Sequence, residues 1–445
     1  MEKLMIKPNV LKKSYYNFFI PKEDGTYLVY NSLSGAIIYI YSEINVRKLR
    51  EIMEKDTIIY DNSDEMILTF YEKGILVPKD RREYEFARYC YERDVVRDTT
   101  LVLTLIVTRQ CNLRCIYCYE EHENKAMTED LYNSILKYID NSLRNKLYTG
   151  VAISLFGGEP FVEYDKVVAF LGKVKSLCEE YGVPYSASAT TNGALIYPER
   201  FEVLSSLNCR YYQITVDGFK ETHDKYRASA DGRGSWDKIM ENLKYMASTD
   251  YNFKVTIRTN FNDEVFLRAE EFYKYIKENF DNRFSIYYEG IKRLGGCNDD
   301  KLDILDKLDV AKSSVNIAKV IKQLNINNDV VDVMTRPYSR VCYASKHNNL
   351  IIDYDGSILK CTLSLDDDLN KIGYISEDGS MNLAEDKHSR WVSNKVDLQD
   401  ECKECRVLPI CFGGRCVNGR VHGEKYFCDP KIEESELENL ISTYR

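Results

Sequence analysis

Three cysteines, Cys111, Cys115 and Cys118, lie within the short stretch TRQCNLRCIYCYEEH. Iron–sulfur clusters are held by cysteine thiolates, so this spacing predicts a cluster bound by a single loop. Four irons with three protein ligands leave one iron open, and an open position distinguishes catalytic metal sites from structural ones. Zinc is the alternative, with the nearby His122 as a fourth ligand.

A second cysteine group lies nearer the C-terminus and includes a Cys-x2-Cys pair. Its members are Cys342, Cys361, Cys402, Cys405, Cys411, Cys416 and Cys428. This order predicts bound metal, and two zinc ribbons are one possibility. The remaining cysteines, Cys90, Cys178, Cys209 and Cys297, are isolated, which is typical of small buried apolar residues.

Six β-rich runs separated by helical stretches form the predicted scaffold for the first group. They are residues 100–108, 151–156, 185–191, 210–216, 253–259 and 284–289. Such alternation favours parallel strands covered by helices, and six units predict a partial (β/α)6 TIM-like barrel, open on one side. Chemistry in these barrels occurs at the carboxyl ends of the strands, where the first cysteine group lies.

Glycine and polar residues follow the second, third and fourth predicted strands, in the runs FGGEP, TTNG and TVDGFKETHDKYR. The candidates in these loops are Gly157, Gly158, Glu159, Asn192, Thr215, Asp217 and Arg227. Their positions indicate a binding site at the barrel mouth. Gly-Gly, Asn-Gly and Asp-Gly are also common turns, and Arg227 could be a solvated charge.

The rest of the sequence divides into smaller units. We predict a winged-helix-like α+β domain at 1–85, a linker helix at 86–99, the barrel at 100–297, a helical bridge at 298–339, a cysteine-rich two-cluster domain at 340–430 and a closing helix at 431–445. The cysteine-rich domain has few periodic runs, so we expect bound metal to stabilise it.

Composition excludes several classes of protein. The 445 residues are 44% hydrophobic and 29% charged, as in globular proteins, and the net charge of −9 counts against nonspecific nucleic-acid binding. No apolar run approaches the roughly 20 residues of a membrane span, and no apolar signal core is present near the N-terminus. We therefore expect a cytoplasmic enzyme with reduced cysteines and with no nucleic-acid or membrane partner.

The first cysteine loop resembles the signature of the radical S-adenosylmethionine (SAM) superfamily, CxxxCxxC with an aromatic residue before the last cysteine, here Tyr117. The resemblance implies a 4Fe–4S cluster whose open iron binds SAM, and cleavage of SAM to a 5′-deoxyadenosyl radical that abstracts hydrogen from a substrate. It implies further that the GGE motif, residues 157–159, holds the methionyl amino group. Thr215, Asp217 and Arg227 would contact the ribose and carboxylate.

The second group resembles the SPASM extension of peptide- and sulfatase-maturing radical enzymes, although CFGGRC has four residues between its cysteines where the family has three. The resemblance implies an outer auxiliary 4Fe–4S cluster held by Cys402, Cys405, Cys411 and Cys428, and an inner one held by Cys342, Cys361 and Cys416. Cys297 could supply the fourth inner ligand. Otherwise a substrate thiolate could bind the open iron, and either arrangement gives three clusters in all.

The N-terminal unit resembles winged-helix domains that hold leader peptides by adding a strand to a sheet edge. We therefore expect a maturase that crosslinks a ribosomally made precursor peptide with a leader, forming a cysteine thioether. An external one-electron reductant, flavodoxin- or ferredoxin-like, would supply electrons. No catalytic acid or base can be assigned.

Four alternatives stay open. A carbon–carbon crosslink is one, and sulfatase maturation (formylglycine formation) is another. Sulfatase-maturing enzymes carry an Asp after the second SPASM cysteine, where this chain has Thr362, although Asp353, Asp355 and the run 366–368 lie nearby. The non-enzyme alternatives are an iron–sulfur electron carrier and a zinc-stabilised peptide adaptor.

Overall fold

The structure is a computed structural model that describes residues 8–328, 335–337, 341–393, 400–412, 416–423, 437–438 and 441. The predicted ligand Cys428 and most of the predicted closing helix lie outside the described residues. Among the described helices, none combines the length and apolar composition needed to cross a membrane.

The N-terminal unit contains two small antiparallel sheets and two helices. Its elements are β1 (Val10–Lys13), β2 (Asn17–Pro21), β3 (Tyr27–Asn31), β4 (Ile37–Ile40), α1 (Glu43–Glu54), β5 (Ile58–Ile59), α2 (Glu65–Glu72) and β6 (Leu76–Pro78). The sheet orders are β5-β1-β6 and β2-β3-β4. Ser42 caps α1 and Asp64 caps α2 through their side-chain oxygens, which explains where both helices begin.

The linker helix α3 (Glu83–Val96) begins three residues before the predicted linker. Tertiary contacts explain this earlier start. The Glu83 carboxylate accepts hydrogen bonds from Ser14 Oγ at 2.5 Å and from the Tyr15 amide at 3.0 Å. The first turn of α3 therefore belongs to the N-terminal unit.

The central domain is the expected partial barrel. Its elements are β7 (Thr100–Thr108), β8 (Leu113–Cys115), α4 (Glu129–Arg144), β9 (Gly150–Gly157), α5 (Tyr164–Tyr181), β10 (Tyr185–Thr191), α6 (Pro198–Ser206), β11 (Cys209–Thr215), α7 (Lys220–Tyr226), β12 (Arg227–Ser229), α8 (Trp236–Ser248), β13 (Lys254–Phe261), α9 (Asp263–Leu267), α10 (Ala269–Asn279), β14 (Phe284–Gly290), α11 (Lys307–Gln323) and β15 (Asn327–Asn328). The six predicted strands are parallel neighbours in the order β7-β9-β10-β11-β13-β14. Apolar residues of these strands and of the covering helices form one continuous core.

The C-terminal unit continues the same sheet, which differs from the expectation of a separate domain. Its elements are β16 (Asn349–Ile352), β17 (Ser357–Leu359), β18 (Lys371–Ile375), β19 (Met381–Leu383), α12 (Glu385–Val392), α13 (Asp400–Lys403), α14 (Leu408–Cys411) and α15 (Val417–Val421). β16 pairs in parallel with β7, so the sheet has eleven strands within the described residues. An unpaired edge strand exposes backbone donors and acceptors, and this addition satisfies those of β7.

The N-terminal unit packs against the segment that carries Cys402, Cys405 and Cys411. The Tyr91 ring of α3 stacks on Phe412 with ring centroids 4.3 Å apart, and both belong to a buried apolar cluster with Cys402. Tyr16 of the N-terminal unit belongs to the same cluster, and Arg406 Nη1 donates to the Asn17 carbonyl at 3.1 Å, so the N-terminal unit is fixed to the cysteine-rich segment.

Candidate functional site

The three-cysteine loop is held at the barrel mouth by backbone pairing. After β7 ends, the loop passes through Cys111 to β8, which pairs antiparallel with β12 so that Cys115 faces Arg227. The Ile116 amide donates to the carbonyl of Tyr226 at 3.0 Å. The loop after the first strand and the segment after the fourth strand are therefore joined, as the predicted site requires.

The three thiols share a half-buried, poorly solvated environment. Burial, with Glu159 and the other two thiols nearby, raises the pKa of Cys111 to about 12, and burial raises the pKa of Cys118 to about 12. Burial also raises the pKa of Cys115, although Arg227 acts in the opposite direction. Metal-bound cysteines are thiolates, so binding of cationic irons would release protons here. Three clustered thiols in one loop fit a cluster with one open iron.

Gly157 and Gly158 are required where two loops touch. A Cβ on Gly157 would overlap the carbonyl oxygen of Thr108, and a Cβ on Gly158 would overlap that of Gln110. The Gly158 amide donates to Thr108 at 2.9 Å, and the Glu159 amide donates to Gln110 at 2.8 Å. These two glycines allow the GGE backbone to lie directly against the segment leading to Cys111.

The Glu159 side chain ties together the loops after β9 and β10. It is fully buried and accepts hydrogen bonds from Thr191 Oγ1 at 2.8 and 2.9 Å and from the amide of Asn192 at 2.8 Å. Asn192 Nδ2 in turn donates to Asn112 Oδ1 at 2.8 Å and lies 3.9 Å from Cys111 Sγ. Asn192 thus lies against the cluster loop, and Glu159 fixes its position.

A second buried network lies behind Tyr117. The Tyr117 hydroxyl donates to Asp217 Oδ2, and it accepts from Arg227 Nη1 at 2.9 Å and from Asn260 Nδ2 at 3.1 Å. Asp217 Oδ1 accepts the Asn260 amide at 2.8 Å. Arg227 is 5% exposed, and its Nε has no hydrogen-bond partner among the described residues. Tyr117, Asp217 and Arg227 are therefore brought together, while Thr215 is half-buried at the end of β11.

Cys342, Cys361 and Cys416 are brought together across 74 positions of sequence. Burial, with Cys416 and Cys342 close by, raises the pKa of Cys361 to about 11. Burial likewise raises the pKa of Cys342, with Cys416 nearby. Lys360 is fully buried beside them, and its Nζ donates to the carbonyls of Lys346 at 2.5 Å and Asn349 at 2.6 Å.

The other predicted ligands lie in other segments of the chain. Cys402 and Cys405 belong to one turn, with the Cys405 amide donating to the Cys402 carbonyl at 3.2 Å, and Cys411 ends α14. Cys297 is exposed, and a Cβ on the preceding Gly296 would overlap the carbonyl oxygen of Cys118. In the described ranges, no three His, Cys, Asp or Glu side chains converge on a position for a single metal ion.

A cleft of about 510 Å³ opens between the two cysteine loops. Tyr119 and Glu120, which follow Cys118, form one side, and residues 363–367, which follow Cys361, form the other. Arg109 also lines this inter-loop cleft, and Tyr119 Oη donates to the Thr362 carbonyl at 3.1 Å. Burial raises the pKa of Glu120 to about 7, against the opposing effect of Arg109.

Sequence reasoning missed several residues that the fold places at the site. Asn112, Asn260, Arg109 and Glu120 were not candidates, because none belongs to a spacing pattern. The carboxyl-end rule for barrel strands could have drawn attention to Arg109 and Asn260, since Arg109 directly follows β7 and Asn260 lies near the end of β13.

Comparison with known proteins agrees with this geometry. Residues 105–276, which include the three-cysteine loop, match the radical SAM superfamily. A cysteine-type anaerobic sulfatase-maturating enzyme of Clostridium novyi is 26% identical over 326 residues, covering 68% of this chain and 84% of that protein.

Two solved structures share the fold. Native anSMEcpe with bound AdoMet has a TM-score of 0.61 at 18% identity, covering 77% of this chain and 96% of the other. Streptococcus suis SuiB bound to precursor peptide SuiA has a TM-score of 0.52 at 17% identity, covering 92% of this chain and 96% of the other. The superfamily match implies SAM and a 4Fe–4S cluster. The chain therefore contains a radical SAM domain at residues 105–276, and the protein is a radical SAM enzyme that resembles the peptide and protein maturases.

Proposed function

We propose that this enzyme is a peptide maturase that installs a crosslink, a cysteine thioether, in a ribosomally made precursor peptide with a leader. When bound, the cluster and SAM supply a 5′-deoxyadenosyl radical that abstracts hydrogen from the substrate. Cys111, Cys115 and Cys118 hold the cluster. Tyr117 and residues 157–159, together with Thr215, Asp217 and Arg227, surround SAM.

The buried networks support these roles. Arg227 carries an unpaired Nε beside Cys115, and its charge suits a carboxylate. The carboxylate oxygens of Asp217 accept hydrogen bonds from Tyr117 and from Asn260, so Asp217 holds Tyr117 in place. Asn192 also lies next to the cluster loop, with its Nδ2 3.9 Å from Cys111 Sγ.

Two auxiliary 4Fe–4S clusters are proposed for the C-terminal unit. The grouping of Cys342, Cys361 and Cys416 supports an inner cluster with one open position. Cys402, Cys405, Cys411 and Cys428 would hold the outer cluster. Cys297 stays a candidate inner ligand, and a substrate thiolate is the other candidate.

The inter-loop cleft is the observation that carries the proposal. It is bordered by the residues directly after Cys118 and by those directly after Cys361. A peptide in this cleft would lie between the radical-forming site and the inner cluster. Joining a thiol to a carbon atom removes two hydrogens. A hydrogen atom would leave carbon at the radical-forming site, and the thiol would lose a proton and one electron, which the inner cluster would accept.

The N-terminal unit supports recognition of a leader. The match to SuiB leaves 8% of this chain uncovered. The N-terminal unit, residues 8–82, is longer than this uncovered share, so the match includes part of the unit. SuiB itself was solved with a precursor peptide. The unit's fixed contact with the cysteine-rich segment would hold a leader at a constant distance from the cleft.

Sulfatase maturation is the second candidate, because the Clostridium novyi relative carries that name. Thr362 stands where such enzymes have Asp, which favours the peptide crosslink. A carbon–carbon crosslink uses the same geometry, and only the product distinguishes it from a thioether.

The test uses anaerobically reconstituted protein with a chemical one-electron reductant. We expect 5′-deoxyadenosine from SAM, none from the Cys111→Ser/Cys115→Ser/Cys118→Ser variant, and normal yield from Cys178→Ser, an isolated buried cysteine. An electron carrier or adaptor would yield none in any form. Coexpression with a candidate cysteine-bearing precursor peptide should give a product lighter by two hydrogens per crosslink, whereas formylglycine in a sulfatase peptide would favour the second candidate.

A further inference from the structure

The inter-loop cleft carries more negative than positive charge. Glu120, Asp366 and Asp367 line it, and among its described lining residues Arg109 is the only Lys or Arg. The positive charge of Arg109 is already neutralised by Asp353, because Arg109 Nη2 lies 2.7 Å from Asp353 Oδ2 and both side chains are buried. Asp366 Oδ1 is farther from Arg109, at 3.5 Å, and its side chain is 80% exposed. The cleft therefore attracts cations.

Asp367 lies beside the histidine of this wall. Its Oδ2 lies 2.7 Å from His422 Nε2. Glu120 and Asp366 are left to face the cleft with no dedicated cation among the described residues. One carboxylate, Glu120 or Asp366, therefore lies on each side of an opening that a peptide side chain could enter.

Three buried polar atoms on the cleft wall have neither a hydrogen-bond nor an ion-pair partner among the described residues. They are Glu120 Oε2, Asn418 Oδ1 and Arg109 Nε, and the Arg109 side chain is 5% exposed. Buried polar groups are normally hydrogen-bonded, and an unpaired one costs about 1–3 kcal/mol. Unpaired acceptors and an unpaired donor on one cleft wall suit an ammonium or guanidinium group together with a peptide carbonyl.

The rim of the cleft is apolar. Leu294 is 40% exposed and Leu363 is 45% exposed, and both side chains line the opening. A volume of about 510 Å³ falls within the ~300–1,000 Å³ of ligand sites. Acidic and apolar side chains around one opening are complementary to a basic side chain flanked by apolar residues.

From the charge, the unpaired atoms and the rim, we propose that the cleft selects a substrate segment with a Lys or Arg side chain between apolar neighbours. The inference rests on the proposed function and names the class of peptide that the same site takes. Glu120 and Asp366 contact the cation, and Arg109 Nε donates to the peptide backbone.

Binding of short labelled peptides to the anaerobically reconstituted full chain with SAM tests this proposal. The probe is fluorescein-labelled Gly-Leu-Lys-Leu-Gly, compared by anisotropy with versions carrying norleucine or Glu in place of Lys. We expect the lysine peptide to bind at least tenfold more tightly than the norleucine peptide, with a ratio that falls as salt rises.

Variants of neighbouring carboxylates localise the effect. Asp366→Asn and Glu120→Gln should each reduce the lysine preference at least threefold. Asp368→Asn removes the same charge two residues from Asp366, at an exposed position that does not line the cleft, and should leave the preference unchanged. The Asp366 side chain is 80% exposed, so we expect the Asp366→Asn variant to fold as the native protein does.

Two results would overturn the proposal: equal or tighter binding of the norleucine or Glu peptide, or an equal loss of preference in Asp368→Asn and Asp366→Asn. SAM cleavage by the same preparation separates this inference from the proposed function. Cleavage without lysine preference overturns the inference alone, and absence of cleavage overturns both.

Discussion

Arg109 and Asp353 form a buried ion pair that joins the barrel to the C-terminal unit, with 2.7 Å between Nη2 and Oδ2. Arg109 follows β7 and Asp353 follows β16, and the parallel pairing of these strands brings the two residues side by side. Both lie at the carboxyl ends of their strands, next to the cleft. The pair therefore fixes the C-terminal unit where the cleft forms.

Removing one partner of this pair should be costly. Asp353→Asn leaves the Arg109 charge buried, and loss of one partner of a buried pair costs about 3–5 kcal/mol. Thermal unfolding should show a clear drop in midpoint, while Asp355→Asn, at an exposed position nearby, should have little effect. Arg109→Met/Asp353→Leu should recover much of the loss. Equal midpoints for Asp353→Asn and the native protein would contradict this role.

Gly158→Ala should separate the two loops at the barrel mouth. The new Cβ would overlap the Gln110 backbone, which cannot move without displacing Cys111. We expect loss of about one cluster's iron per chain and loss of SAM cleavage. Gly172→Ala, inside α5 with its nearest atom at 3.9 Å, is the control and should stabilise the helix by up to ~1 kcal/mol. Full iron content in Gly158→Ala would show that the close approach is dispensable.

His223 should make stability fall in acid. The Asp217 amide donates to its Nδ1 at 3.1 Å, and burial, with Arg227 nearby, holds the pKa of His223 well below its ordinary value of about 6.5. The folded state therefore excludes a proton that the unfolded state binds. This contribution to stability is complete above pH 6.5 and is lost below it, at up to about 1.4 kcal/mol per pH unit.

The pH dependence of thermal unfolding between pH 8 and pH 5 measures this effect. His223→Gln keeps an acceptor that does not titrate, so its midpoint should fall less steeply in acid than that of the native protein. His347→Gln, at an exposed position, should behave like the native protein. Parallel curves for the native protein and His223→Gln would exclude His223 as the source.

Tyr91→Ala should loosen the N-terminal unit from the cysteine-rich segment. Tyr91 is 9% exposed and stacks on Phe412, and truncation of a buried aromatic residue costs about 3 kcal/mol. Limited proteolysis should cut faster between the two units. Tyr89→Ala removes a half-exposed ring from the same helix and should not change the cleavage rate, so equal rates in the two variants would count against the stack.

The sequence by itself determined the chemistry and the strand order of the barrel. Cysteine spacing is local, so Cys111, Cys115 and Cys118 mark their site without any knowledge of the fold. The six barrel strands could also be predicted, since buried parallel strands read as short apolar runs between helices. The glycines of the GGE motif were found in the same way, by their position after a predicted strand.

Tertiary structure alone decided which distant side chains meet. Tyr117 and Asp217 are 100 positions apart, and Arg109 and Asp353 are 244 apart, so strand register and not spacing brings each pair together. The joining of β16 to β7 could not be predicted, because any apolar strand is compatible with an open sheet edge. Which edge it takes depends on burial of the whole core, and that choice creates the cleft.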